Sequence, residues 1–298
     1  MNSLYSFWKF SRPHTIIGTS LSVLALYFIA LATTNSAIAP NNFLQMLAVL
    51  AACLCGNVYI VGLNQICDVA IDRINKPHLP LAAKEFSPRQ GQWIVGVTGI
   101  LALILAGTQG LWLLATVGIS LLIGTAYSLP PIRLKQFPLL AAFCIFTVRG
   151  VIVNLGLFLH FTKKLAGREF LNGYVWVLTL FIIVFTVAIA IFKDVPDLEG
   201  DKKYNITTFT IILGKSAVFS FSRWLITCCY LGMVIAAFYL AAINTSFFIA
   251  YHLVLLILLW WRSRQVDLSQ KSAIADFYQF IWKLFFLEYI LFPTACFI

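Results

Sequence analysis

The stretch Asn64-Gln-Ile-Cys-Asp68-Val-Ala-Ile-Asp72 closes an apolar run that begins near residue 43. A run of about 20 apolar residues or more is long enough to cross a bilayer as a helix. The quoted stretch therefore puts two carboxylates where a membrane helix meets water. Asn57, Asn64, Asp68 and Asp72 follow one another at spacings of seven, four and four. At about 100° per residue they fall within roughly 80° of one helix face, and a polar stripe on an apolar helix faces the bundle interior. Aspartates at a helix C-terminus oppose the macrodipole, so two of them there call for a cationic partner.

Working outward, the whole chain reads the same way. It has 298 residues, 61% hydrophobic and 11% charged, with mean hydropathy +0.90. Globular domains carry roughly 25% charged residues. Nine runs near spanning length recur, at about 14–33, 43–67, 92–109, 111–128, 138–160, 170–192, 217–241, 246–261 and 276–297. The expected fold class is all-α, a polytopic protein of nine transmembrane helices in the lipid bilayer. Residues 1–298 form one domain, because no linker-like composition interrupts them. The first apolar run is of spanning length, so no cleavable signal or transit peptide is expected, which fits a bacterial or mature organellar protein.

The net charge of +10 does not indicate nucleic acid, because the basic residues are dispersed among short interhelical loops. They read as topology. With the N-terminus placed in the cytoplasm, 16 Lys and Arg lie in or beside cytoplasmic segments, against Lys163, Lys164 and Arg168 on the other side. The positive-inside rule then puts the N-terminus in and the C-terminus out. The seven cysteines contain no Cys-x-x-Cys pair; the six inside predicted helices read as small packing residues, and Cys67, beside Asp68, is a poor ligand for Mg²⁺.

A second acidic cluster, Lys193-Asp194-Val-Pro-Asp197-Leu-Glu199-Gly-Asp201, follows the sixth run on the same side as the first. The chain has 11 acidic residues, and six lie in these two stretches. Mg²⁺ takes oxygen ligands, binds through one or two carboxylates, and completes its shell with water and phosphate oxygens. Carboxylates from two helices can hold metal around one diphosphate, and nearby Lys and Arg can take the remaining phosphate oxygens. The competing reading of the second cluster is a charge-balanced loop, neutralised by Lys193, Lys202 and Lys203.

On these motifs the chain resembles the UbiA superfamily of intramembrane aromatic prenyltransferases. That family carries Asn-x-x-x-Asp-x-x-x-Asp after helix two and a second Asp-rich motif after helix six. Asn64, Asp68 and Asp72 match the first, and Asp194, Asp197 and Asp201 the second. Tyr127-Ser-Leu-Pro-Pro-Ile-Arg133-Leu-Lys135 is similar to the family's basic segment after helix four. Within the family, Gly62–Pro77, Val148–Gly156 and Lys193–Asp201 are most similar to the branch that acts on homogentisate. Two departures are Ala70, on the back of the aspartate face and so expected to tune packing, and Ala83-Lys84-Glu85, where the loop is expected to differ in shape.

The resemblance implies helices around a central cavity and Mg²⁺-dependent transfer of a prenyl group, phytyl in that branch, from its diphosphate to homogentisate with decarboxylation. It implies metal ligation by Asn64, Asp68, Asp72, Asp194, Asp197 and Asp201, the five aspartates forming the catalytic set. Asn64, Lys76, Tyr127, Arg133, Lys135 and Lys193 become diphosphate contacts. Arg12, His14, Arg149 and Asn154 become candidate contacts of the aromatic acceptor.

Arg149 is a charge inside a predicted span, costing about 2.5 kcal/mol or more on insertion scales, so it should face a cavity. The competing reading pairs it with Glu288 or an aspartate. Lys283 and Glu288 in the last run are expected to pair within the bundle. Other readings stay open at this point. One is transfer of a longer prenyl chain, or transfer to a naphthoate or chlorophyllide. Another is an ion-coupled transporter, which would place acids near mid-helix rather than at helix ends.

Overall fold

Within lipid, only a helix or a closed barrel satisfies every backbone N–H and C=O internally, so each apolar run of spanning length has one local solution. The computed structural model describes residues 3–196, 198, 203, 208–241 and 243–298. Among them nine helices are long and apolar enough to cross a membrane, and there is no strand. A short helix α1 (Ser3–Phe10) precedes the first span, α2 (Pro13–Thr34). Then come α3 (Pro40–Cys67), a short α4 (Val69–Asn75), α5 (Pro88–Gln109) and α6 (Leu111–Ser128). The fifth span is built of α7 (Pro138–Phe146), a π turn (Thr147–Ile152) and α8 (Val153–Ala166). The remaining elements are α9 (Gly173–Phe192), a short α10 (Phe209–Leu213), α11 (Lys215–Ala236), α12 (Thr245–Ser263) and α13 (Lys271–Phe297).

All nine expected spans are present, with ends set by polar caps that an apolar count misses. α5 starts four residues earlier than its apolar run because Ser87 and Gln90 form a reciprocal capping box around Pro88. Asn172 and Asn244 cap α9 and α12 by accepting from Val175 and Phe247 backbone N–H groups. α11 stops at Ala236, short of the expected 241.

The larger difference lies at Asp68. A single helix through Asp72 was the expectation, but the chain breaks at Asp68 (φ −116°, ψ 13°) and restarts as α4. The break leaves Asp68 as the C-cap of α3 and makes it the N-cap of α4, so the start of the second helix offsets the unfavourable end of the first. It also turns Ala70 outward, where it is exposed instead of packed behind the aspartates.

α9 is apolar throughout and two-thirds of its membrane window (67%) is buried, as befits a helix enclosed by others. Phe181, Phe185 and Phe192 on it meet Tyr230 of α11 and Phe277 and Phe285 of α13 in tilted and edge-on ring contacts. Spans α2, α3, α6, α7–α8, α9 and α13 surround a cavity, whereas α5, α11 and α12 contribute nothing to its wall and buttress it from outside.

A candidate active site at the cavity mouth

The cavity has a volume of about 940 Å³. One end is polar, built where α2 and α13 begin and α3, α6 and α9 end. Asn64, Asp68, Asp72, Lys76, Arg133, Lys135, Lys193 and Asp194 all line it. Away from that end the wall turns apolar and small: Val23, Cys53, Gly56, Val117, Leu121 and Leu157.

Asp68 is the hub. Its Oδ1 accepts from Arg133 Nη2 at 2.9 Å, and its Oδ2 accepts from Asn64 Nδ2 at 3.1 Å and from the Lys135 ammonium. Arg12 Nη2 donates to Asn64 Oδ1 at 2.9 Å, extending the chain to the start of α2. Arg12 and Arg133 both hold left-handed backbone (φ 52° and 38°), a conformation that costs a non-glycine residue energy and that recurs where side chains are aimed for function. Burial pushes the Lys135 ammonium below its ordinary pKa, partly countered by Asp68.

Asp72 lies one turn on in α4, 5% exposed. Asp194 follows the end of α9, its carboxylate 3.1 Å from Lys193 Nζ. Asp197, Glu199 and Asp201 lie outside the described residues. Among the described residues no three His, Cys, Asp or Glu side chains converge as a preformed metal cage. The donors on this wall are carboxylate and amide oxygens from Asn64, Asp68, Asp72 and Asp194, a hard set that fits Mg²⁺, an ion that leaves part of its shell to water and phosphate.

Deeper in, Arg149 lies on the π turn and lines the cavity. Its guanidinium carbon stands 4.7 Å from the Trp282 ring centroid and 5.6 Å from that of Phe285. No ion pair recorded among the described residues includes Arg149. Glu288 is engaged elsewhere: it accepts from the Tyr251 hydroxyl at 3.1 Å and lies 3.4 Å from His252 Nε2, all within the bundle. The expected Lys283–Glu288 pair does not form, because Lys283 is exposed on the opposite side of α13 from the fully buried Glu288.

His14 lines the cavity with its ring 5.0 Å from Trp282, and Tyr127 lines it too. Asn154 corrects the sequence reading. It is 0% exposed and absent from the cavity wall, because the π turn rotates it behind Arg149. Residues the sequence did not single out also line the cavity, among them His78, Ser128, Tyr278, Gln279, Trp282 and Tyr289. Nothing distinguishes Trp282 among eight tryptophans until Arg149 is seen lying on it.

Known proteins share this chain's sequence and fold. A homogentisate phytyltransferase of Synechocystis sp. is 59% identical over 297 residues, covering 99% of this chain and 96% of that protein. The chloroplastic homogentisate phytyltransferase 1 of Arabidopsis thaliana is 43% identical, over 98% of this chain and 75% of that protein. The solved structure of a UbiA homolog from Archaeoglobus fulgidus bound to GPP and Mg²⁺ shares the fold, with TM-score 0.65 at 17% identity over 97% of this chain and 99% of that one. The profile of the UbiA prenyltransferase family matches residues 20–284, and the chain belongs to that family.

Proposed function

We propose that the protein transfers a phytyl group from phytyl diphosphate to homogentisate, with loss of CO₂, as a Mg²⁺-dependent step of tocopherol biosynthesis. The observation that carries this is the joining, in one cavity, of an acid–base cluster centred on Asp68 to an apolar chamber holding the buried cation Arg149. The near full-length similarity to homogentisate phytyltransferases supports the choice of substrates.

Asn64, Asp68, Asp72 and Asp194 would hold Mg²⁺, together with Asp197 and Asp201. When bound, the metal neutralises charge that builds on the leaving diphosphate. Arg133, Lys135, Lys76 and Lys193 bind the remaining phosphate oxygens, with Tyr127 beside them. The prenyl tail lies among Val23, Cys53, Val117 and Leu157, where water that would quench an allylic cation is excluded. The donor's C–O bond breaks with its electron pair leaving on diphosphate. An electron-rich ring carbon of the acceptor forms the new C–C bond and loses its proton. The acetate side chain gives up CO₂ and takes a proton to become methyl. Arg149 takes the acceptor carboxylate, with Arg12 and His14 nearby at the entrance to the chamber. By the distribution of basic loops, the polar mouth opens to the cytoplasmic side of a bacterial membrane or its plastid counterpart.

The test is incubation of purified protein with phytyl diphosphate and homogentisate, with and without Mg²⁺, followed by product mass. The expected product is a methyl-phytyl-benzoquinol, formed only with metal. Asp68→Ala and Asp197→Ala should each lower turnover by about 100-fold or more while the protein still inserts in membranes. Full activity in excess chelator would remove the metal from the mechanism, and a panel of other acceptors and longer donors would expose a different substrate.

A further inference from the structure

We infer that Asn154 and Tyr289 are positioning residues: a buried strut that holds the π turn of 147–152 against α13 and so aims Arg149 at the acceptor carboxylate. The inference rests on the reading that Arg149 binds that carboxylate.

The argument begins with the backbone. In an α-helix each N–H bonds the carbonyl four residues back; here Val153 N–H bonds the Val148 carbonyl, five back. The turn contains one residue more than an α-helix would. Everything on one side of it is therefore rotated by about 100° relative to an uninterrupted helix, and the direction of Arg149 depends on the turn staying wide.

Two contacts keep it wide. On one side, Gly150 lies so close to α9 that an added Cβ would come within 2.4 Å of Ile183 Cγ1 and 3.3 Å of its Cα. On the other, the Asn154 side-chain N–H donates to the Gly150 carbonyl at 2.8 Å and lies 3.4 Å from the Arg149 carbonyl. The Oδ1 of the same amide accepts from the Tyr289 hydroxyl at 3.3 Å. Asn154 is 0% and Tyr289 2% exposed, so both polar groups depend on this bond where no bulk water competes.

Tyr289 follows Phe285 by four residues and Trp282 by seven, so all three share one face of α13. The face that supplies the ring platform under the guanidinium thus also anchors the backbone that carries it. Asn154 does not touch the cavity, and its influence on substrate runs through Arg149.

A strut that served folding alone would, when cut, lower the melting temperature and leave the two Michaelis constants in their original ratio. A positioning strut weakens the acceptor and spares the donor. The experiment measures KM for homogentisate and for phytyl diphosphate in Arg149→Gln, Tyr289→Phe and Asn154→Leu enzyme. Tyr289→Phe removes one hydroxyl from a ring that itself lines the cavity, so Asn154→Leu, or Asn154→Ser where Leu fails to fold, separates positioning from direct contact. The expected result is a KM for homogentisate raised about tenfold in Tyr289→Phe, with KM for phytyl diphosphate unchanged. If Arg149→Gln leaves the homogentisate KM at its original value, the carboxylate reading fails. If Arg149→Gln raises it and either Tyr289→Phe or the Asn154 variant does not, or if either raises both constants together, the strut inference fails alone.

Discussion

At the residue scale the site turns on how Asp68 is neutralised. One carboxylate accepts from an Arg, a Lys and an Asn, and the Asn is itself held by Arg12. Scarcity made the acids legible in sequence: 11 in 298 residues leaves little room for coincidence when six cluster. Arg133 and Lys135 were legible for a weaker reason, as basic residues of one loop. Their meeting on Asp68 is a product of the fold. The same two cations are proposed to turn to phosphate oxygens when a donor binds. Charge-assisted hydrogen bonds contribute roughly 1.5–3 kcal/mol, so Arg133→Ala should raise KM for the prenyl diphosphate by about 10- to 100-fold. Arg133→Lys should recover only part of this, because an ammonium lacks the guanidinium's forked geometry. Steady-state kinetics with the acceptor saturating would check it, and an unchanged donor KM in Arg133→Ala would remove Arg133 from the diphosphate site.

Among elements, the sequence revealed spans far better than their interruptions. A span is declared by twenty apolar residues in agreement, whereas at the break the long-range contacts are those of Asp68 with Arg133 and Lys135, and beside the π turn that of Asn154 with Tyr289. Helix α1 is a further case. Its Leu4, Tyr5, Phe7 and Trp8 are exposed while Ser6 and Phe10 are buried, the pattern of a helix lying along an interface. Glu85, in the loop between α4 and α5, clasps it by accepting from Ser6 at 2.8 Å and from the Lys9 ammonium. Burial pushes the Glu85 carboxyl up, but the bonds from Lys9 and Ser6 outweigh it and hold its pKa below the ordinary value. A depressed folded-state pKa stabilises the clasp above the unfolded value and loses that contribution as pH falls through the folded one. The amides of α1 should therefore keep their protection from hydrogen exchange at neutral pH and lose it below the ordinary carboxylate range, whereas Glu85→Ala should lack it at both. Protection that is equal in Glu85→Ala and wild type at neutral pH would show that the clasp does not hold α1.

For the whole molecule, the structure brings the polar loops of several spans to one end of the bundle. Asp68, Arg133 and Asp194 leave three different spans, yet they line one polar mouth, so the loops that carry them share one side of the membrane. In the proposed orientation, the bias of 16 basic residues against Lys163, Lys164 and Arg168 puts that side in the cytoplasm, and the nine spans among the described residues then send the C-terminus across. Nothing in the packing of the helices chooses between the two orientations; the choice is electrostatic, made as the chain inserts. Expressed in a bacterium, a green fluorescent protein fused after Asp267, between α12 and α13, should fluoresce, because the proposed orientation puts that loop in the cytoplasm. Alkaline phosphatase, which folds only outside, should be active when fused after Arg168 or Ile298 and inactive after Asp267. Activity in the reverse pattern would invert the molecule and place the donor's diphosphate on the far side of the membrane. In this orientation Lys163, Lys164 and Arg168 mark the weakest point in the bias. Replacing all three with Gln should leave the fusion pattern unchanged, and adding three Lys there should begin to produce mixed orientation.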